Sequence, residues 1–358
     1  MQTVDAIIIG QGVAGTLMAY KLWKEQRSFV VIDDDQAYSS RIASGIINPV
    51  TGRRFVKSWR IEELLALADE IYPALSQLLD IPVYKPIQIS RKLSHHQELE
   101  TWEIRADDPA YQVLYPDIQT LGNGEDAEHY GQISQARLVF ANLLIETFRN
   151  WLSEQRCLVH EQFDYQQLRV GQILQYKSFS AAHIVFCEGW KIRSNPFFNT
   201  LPIIPTKGER LLISTQLALP HEVLKDELYL LSLGHRTYWV GPTNEWNAAD
   251  DQASKAKLDQ MSTFLDARQI SYKVLDHAAA FRPAAHDRRP VVGTHPIYQN
   301  LHVINGLGTK GFSLAPYCAK ALYEHIFRQK TLDSEMDWRR FMRKAEFQMP
   351  NDDRNINI

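Results

Sequence analysis

The chain reads as an α/β fold, α+β overall: a Rossmann-like nucleotide-binding domain joined to a second domain built on an antiparallel sheet. Three observations predict this. Val4 to Ile9 is a short apolar run that leads into Gly10-Gln11-Gly12-Val13-Ala14-Gly15, and a helical stretch, Thr16 to Arg27, follows. Near the other end, Leu301-His302-Val303-Ile304 leads into Asn305-Gly306-Leu307-Gly308-Thr309-Lys310-Gly311, with a helix from Ser313 to Phe327. Between them the strand–helix alternation breaks into short β-like runs, which marks a second domain.

The first turn has the fingerprint of a phosphate cradle. Gly10 allows the tight exit from the strand, Gly12 lets a pyrophosphate approach the backbone, and Gly15 lets the helix pack close to the strand. The helix N-terminus points N–H groups and the positive end of its dipole at the phosphates. Ser28 to Ile32 is the second strand and ends in Asp33. That acid falls where the fingerprint places the carboxylate for the adenosine ribose hydroxyls. A loop rich in small residues and hydroxyls follows, from Asp34 through Ser40, Ala43, Ser44 and Gly45 to Pro49. It is suited to bringing backbone N–H groups against a ligand, a plain surface loop being the competing reading.

Ile61 to Leu79 carries a helical apolar stripe. Val83 to Ser90 and Tyr111 to Leu121 read as short strands separated by a polar stretch. Gly131 to Ser153 returns to helix. Val159 to Phe163 and His183 to Cys187 are strands, the latter leading to Glu188-Gly189. Leu211 to Thr215, Leu228 to Ser232 and Thr237 to Gly241 are β-like, Ser254 to Gln269 is helical, and Ala278 to Pro283 follows a last strand of that region. The nucleotide domain is therefore expected at 1–80, 131–205 and 283–350, the second at 81–130 and 206–282, and a frayed tail at 351–358.

Composition narrows the function. The 358 residues, 45% hydrophobic and 23% charged, suit two globular domains. A net charge of −3 advertises neither nucleic acid nor an anionic membrane. Cys157, Cys187 and Cys318 have no C-x-x-C spacing, so neither a disulfide framework nor a zinc site is expected, and a reducing cytoplasm is. The twelve histidines form no metal pattern, and His95-His96 reads as a solvated pair. The first strand begins at once, leaving no room for a signal peptide, and no apolar run approaches the ~20 residues of a membrane helix. No metal and no membrane partner are expected.

Two glycine loops change the cofactor expectation. A nicotinamide enzyme needs one, whereas a long ligand touching both is FAD. Its adenosine half would lie on the first loop and Asp33, its flavin near Gly306 to Gly311. The helix after the second loop would aim its positive end at the flavin pyrimidine ring, which is negative when reduced. A structural βα turn is the alternative.

Several stretches together resemble the D-amino-acid-oxidase-type family of FAD enzymes, its glycine and sarcosine oxidase branch above all. They are Gly10 to Gly15, Ala43-Ser44-Gly45-Ile46-Ile47-Asn48-Pro49, Pro205 to Leu211, Tyr238 to Thr243, Arg282-Pro283-x-x-x-Asp287-Arg288-x-Pro290-x-x-Gly293, and Gly306-x-Gly308-x-x-Gly311-Phe312-x-x-Ala315-Pro316. They occur in the family's order over nearly the whole chain. The resemblance implies a Rossmann-like FAD-binding domain assembled from three stretches and an antiparallel-sheet substrate domain. It implies oxidation of a C–N bond: hydride passes to flavin N5, water hydrolyses the imine, and O₂ or another electron acceptor reoxidises the flavin. The expected substrate is a small amino acid or N-substituted glycine.

By the same resemblance Arg282 pairs with the substrate carboxylate, for which a planar bidentate fork is suited. Tyr229 hydrogen-bonds that carboxylate. Competing readings are an Arg282–Asp287 ion pair and sheet packing for Tyr229. Lys310 stands where some amine oxidases have arginine or histidine. It supplies charge beside the flavin, activates O₂, or points to solvent. Cofactor contacts are expected at Gly10, Gly12, Val13, Ala14, Gly15, Asp33, Asp34, Ser40, Ala43, Ser44, Gly45, Gly189, Gly308, Thr309, Lys310, Gly311 and Phe312. Cys318 lies inside the last helix, so FAD is expected to be non-covalent. The last loop is also similar to the oxidase half of the bifunctional tRNA wobble-uridine (carboxymethylaminomethyl) enzymes. A tRNA substrate is the second reading, with Arg53, Arg54, Lys57, Arg60, Lys191 and Arg193 as its basic patch, and the net charge argues against it. A flavin-bearing module without turnover is the third.

Overall fold

The computed structural model describes residues 1–342 apart from 37–38, 53, 113, 116–117, 122–127, 218 and 220. Arg53 and the expected tail thus lie outside the described residues. The chain forms two compact units: Met1–Ser40, Ile145–Pro205 and the segment from Arg282 onward in the first, Arg41–Leu144 and Thr206–Phe281 in the second.

The chain opens with β1 (Gln2–Ile9), α1 (Val13–Lys24), β2 (Phe29–Asp33) and α2 (Ser39–Ile42), the last crossing from the first unit into the second. The chain continues through β3 (Ile46–Ile47), β4 (Val50–Thr51), β5 (Val56–Lys57), α3 (Ile61–Leu78), β6 (Tyr84–Leu93), α4 (His96–Asp107), β7 (Ile118–Leu121) and β8 (Glu128–Val139). Next come α5 (Ala141–Glu154), β9 (Leu158–His160), β10 (Leu168–Arg169), β11 (Leu174–Tyr176) and β12 (Phe179–Phe186). β13 (Ile203–Ser214), β14 (Val223–Lys225), β15 (Tyr229–Gly234), β16 (Thr237–Gly241), β17 (Glu245–Trp246), α6 (Lys255–Asp266) and β18 (Lys273–Ala285) follow. The last elements are β19 (Val291–Thr294), β20 (Leu301–Asn305) and α7 (Gly311–Arg328).

In the first unit the sheet runs β10-β11-β12-β1-β2-β9, with β20 beside β12 and β19 beside β20. β1 is parallel to both β2 and β12, and β12 to β20. Consecutive residues such as Ile7 and Ile8 are both fully buried. A parallel strand covered on both faces has this continuous apolar run.

In the second unit the sheet runs β17-β13-β16-β15-β14-β6-β8-β3, with β18 on β13 and β7 on β8. Its residues alternate between two cores. Val223, Leu231 and Trp239 pack with Ile89, Trp102 and Ile133. Leu224, Leu230 and Val240 pack with Phe264 and Leu265. A period of two has sorted neighbours to opposite faces.

Four expectations differ from the structure. Gly131 to Val139 is strand, not helix: β8 pairs with β6 along most of its length, and helix begins only at Ala141. Gly131 lies against Trp102, where a Cβ would stand 2.5 Å from the indole. Leu114 N–H donates to Tyr111 O in a turn, and among the described residues of this stretch strand is found at Ile118–Leu121. The polar stretch before it holds α4, which buries Trp102 alone. Ala278 to Pro283 lies within β18 rather than after a strand. The units divide after Ser40 and Leu144, not after 80 and 130, because β3 and β6 both pair with β8 and draw these segments into the second unit.

Candidate functional site

β1, β12 and β20 are neighbours in one parallel sheet, so their C-terminal ends lie side by side. Each is followed by glycine: Gly10, Gly189 and Gly306. A Cβ on Gly10 would stand 2.6 Å from Cys187 O, and one on Gly15 1.8 Å from Gly10 O. Only glycine permits these approaches. Asn305 knits the other two turns together: its Nδ2 donates to Gly189 O at 2.8 Å, and its Oδ1 accepts the Gly306 N–H at 2.8 Å. The second glycine loop meets the first where a Gly311 Cβ would stand 3.1 Å from Val13 Cγ1. Ser40 Oγ accepts the Val13 N–H at 3.0 Å, beside the space that Gly12 keeps open.

Asp33 is 3% exposed. Its carboxylate accepts from Gln11 N at 2.7 Å, Asp35 N at 3.0 Å and Arg149 Nη1 at 2.5 Å. Arg149 also reaches Gln11 Oε1 at 3.2 Å and His160 Nδ1 at 3.0 Å. Asp34 pairs with Lys191 at 2.9 Å. Glu188, which precedes Gly189, takes Asn195 Nδ2 at 2.7 Å and the Tyr165 hydroxyl. Burial pushes its carboxyl up to about 7, against the pull of those donors and of Lys191.

The α7 end holds Thr309, Lys310, Gly311 and Phe312. Gly306 and Gly308 have φ of +70° and +52°. Burial lowers the Lys310 ammonium pKa, and Arg289 and Arg288 push the same way. Arg282 lies on β18, where burial lowers its guanidinium to about 10. Asp287 takes a two-pronged bond from Arg340, at 2.7 and 3.1 Å.

The second unit holds Tyr229 and the loop from Ala43. Tyr229 OH accepts from Asn48 Nδ2 at 3.0 Å, while Asn48 Oδ1 accepts the Val50 N–H at 2.9 Å. Burial raises the phenol above its ordinary value, opposed by Asn48 and Arg91. Ser44 Oγ accepts the Ile46 N–H at 3.3 Å. A Cβ on Gly45 would stand 1.8 Å from Val139 O, so this glycine answers to packing against β8. The structure therefore gathers Gly10, Gly12, Val13, Ala14, Gly15, Asp33, Asp34, Ser40, Gly189, Gly308 to Phe312 and Arg282 in one unit. Ala43, Ser44, Gly45 and Tyr229 belong to the other. Among the described residues no group of three or more His, Cys, Asp or Glu is arranged to hold a metal, and no helix is long and apolar enough to cross a membrane.

Residues 5–325 match the family described as FAD dependent oxidoreductase (DAO). The chain belongs to that family. It is 24% identical over 362 residues to the glycine oxidase of Bacillus subtilis (strain 168), covering 93% of this chain and 95% of the relative. Its fold is similar to that of glycine oxidase from Geobacillus kaustophilus, with a TM-score of 0.77, 18% identity and coverage of 93% and 97%. It is also similar to that of iminodiacetate oxidase from Chelativorans sp. BNC1, with a TM-score of 0.73, 20% identity and coverage of 92% and 96%. The cofactor of this FAD-dependent oxidoreductase fits the first unit: glycines hold open the approach to the α1 N-terminus, and a fixed acid stands at the end of β2.

Sequence reasoning missed Arg149 and the part Asn48 plays in orienting Tyr229. Arg149 had a signal: Ile145, Phe148 and Leu152 form a buried stripe on α5, and Arg149 occupies the i+4 position of that stripe. Asn48 acts through a contact with Tyr229 on β15, far along the chain, which no local pattern reveals.

Proposed function

We propose that this FAD-dependent oxidoreductase oxidises the C–N bond of a small amino acid or N-substituted glycine. Arg282 pairs with the substrate carboxylate and Tyr229 hydrogen-bonds it. One observation carries this reading. Asn48 donates to the Tyr229 oxygen, and its own amide is oriented by the Val50 N–H. The tyrosine's acceptor side is thus occupied, and its proton is left to donate to a carboxylate. The similarity to glycine oxidase and iminodiacetate oxidase supports the same substrate class.

When bound, FAD accepts the hydride. Gly10, Gly12, Val13, Ala14, Gly15 and Asp33 hold its adenosine half, and Asp34, Ser40, Ala43, Ser44, Gly45 and Gly189 are further cofactor contacts. Gly308, Thr309, Lys310, Gly311 and Phe312 hold the flavin half. Lys310 supplies positive charge there, and O₂ is the acceptor. Three free cysteines suit a reducing cytoplasm.

Arg282→Ala tests the reading. Losing a charged hydrogen-bond partner costs about 1.5–3 kcal/mol, so KM for an amino-carboxylate substrate should rise about tenfold to a few hundredfold. An unchanged KM overturns the assignment. A peroxide assay tests O₂ as acceptor. The tRNA reading draws little support from its basic patch, since Lys57 pairs with Glu62, Arg60 with Glu63 and Lys191 with Asp34. Micromolar binding of total tRNA at low salt would revive it.

A further inference from the structure

We infer that Lys225 is a specificity-determining residue that equips the substrate site for a second anionic group, so that acidic amino acids and dicarboxylic amines are preferred substrates. This rests on Tyr229 holding the substrate, as proposed above.

The argument begins with register. β14 and β15 form a tight antiparallel hairpin in which Lys225 is paired with Tyr229. Directly opposed residues share a face, with Cβ atoms about 4.5–5.5 Å apart. The same face carries Val223 and Leu231, while Leu224 and Leu230 point the other way. The Lys225 ammonium lies 4.7 Å from the Tyr229 ring centroid. On its other side β6 runs parallel to β14 and places Arg91 opposite Lys225. Arg91, Lys225 and Tyr229 thus form one row across three adjacent strands.

The charges in that row do not cancel. Arg91 is bonded to Glu98 at 3.2 Å and to Asp226 O at 3.0 Å. Its buried Nε has no hydrogen-bond partner. The Asp226 carboxylate is taken by Arg268, just past the end of α6. Glu227 is exposed. Lys225 Nζ donates to two backbone carbonyls, Asp226 O at 2.7 Å and Glu227 O at 3.0 Å. Among the described residues no carboxylate forms an ion pair with it. Two of its three protons are fixed and the third is spare. A half-buried cation without a counter-ion is costly. Burial brings the ammonium down to about 8; Arg91 pushes the same way and Asp226 and Glu227 resist. A second carboxylate on a short substrate would reach Nζ while the first sits at the Tyr229 hydroxyl, and would supply the missing anion.

The test uses the full-length FAD-loaded protein and two non-reacting ligands, propionate and succinate, titrated against the flavin visible spectrum at pH 7. Wild type should bind succinate at least tenfold more tightly than propionate. Lys225→Met, which keeps the apolar stem, should reduce that ratio about tenfold, and Lys225→Arg should restore much of it. In wild type the ratio should shrink as pH rises above about 8. With substrates, kcat/KM for aspartate and glutamate relative to alanine should fall in Lys225→Met. Propionate binding without succinate preference, or a preference that survives Lys225→Met, overturns the inference and leaves the proposed reaction standing. If neither ligand perturbs the flavin and Arg282→Ala changes nothing, the proposed reaction fails and the inference falls with it.

Discussion

The Asp33 carboxylate takes three donors at once: the Gln11 N–H, the Asp35 N–H and the Arg149 guanidinium. Gln11 stands between the first two glycines, so the acid fixes the shape of the turn as well as offering its charge. Arg149→Met would leave that carboxylate buried without its cation. Breaking a buried pair by removing one partner costs about 3–5 kcal/mol, which urea denaturation should show together with weaker FAD retention. Adding Asp33→Asn should recover part of the loss, giving a coupling well above the scatter of independent sites. Asp33 was legible because strand, turn, helix and strand follow one another within a short stretch. Arg149 was not, since its partner lies far back in the chain and a lone arginine on an apolar stripe names no partner. Asn48 stands within a recognisable motif, but its orienting role needs β15 beside it.

Elements tell a similar story. The turn after β1 permits no substitution at Gly15, whose Cβ would meet a backbone oxygen at 1.8 Å. Gly15→Ala should give protein that is colourless or insoluble. Gly45→Ala combines a φ of +73° with an equally close approach to Val139 O. It should cost about 2–4 kcal/mol, seen as a lower Tm. The residues of β8 invite a helical reading. Leu138, Phe140, Leu143 and Leu144 fit a helical period when read backward from α5, and nothing local shows that β6 will pair with the residues before them. α4 leaves no apolar stripe in the sequence, because it is mostly polar and buries only Trp102. The strands around the first glycine loop were legible because burial on both faces leaves an uninterrupted apolar run.

At the scale of the molecule, acid should weaken the first unit. His295 Nδ1 accepts the backbone N–H groups of Ile297 and Tyr298, so its ring must stay unprotonated at that atom. Burial pulls its pKa from 6.5 to about 4. His302 is bonded to His183 and Thr294, and burial with its neighbours His183 and His325 lowers it further. With the folded pKa below the unfolded one, the unfolded chain binds more protons in between. Stability is therefore complete above about pH 6.5 and lost as pH falls toward 4. The His295 share, discounted for solvent screening, is about 1–2 kcal/mol. Tm of wild type against His295→Asn over pH 4–8 should show the two curves converging in acid. The two glycine loops made the overall architecture readable, because each is a local signal. Where the units divide was not, because long-range pairing decides it.

The first unit's central sheet draws its neighbouring strands from the beginning, middle and end of the chain. During synthesis β1 and β2 emerge first, yet their apolar faces have no complete shelter until β12 arrives and β20 follows. The cradle of glycines closes only when α7 has left the ribosome. Long-range parallel pairing of this kind forms slowly and leaves early segments prone to association. FAD is therefore expected to bind only once α7 is in place, as a ligand that draws late intermediates into the native state. Yield in a host cell should follow the supply of riboflavin, and refolding from urea should succeed more often with FAD in the buffer than without it.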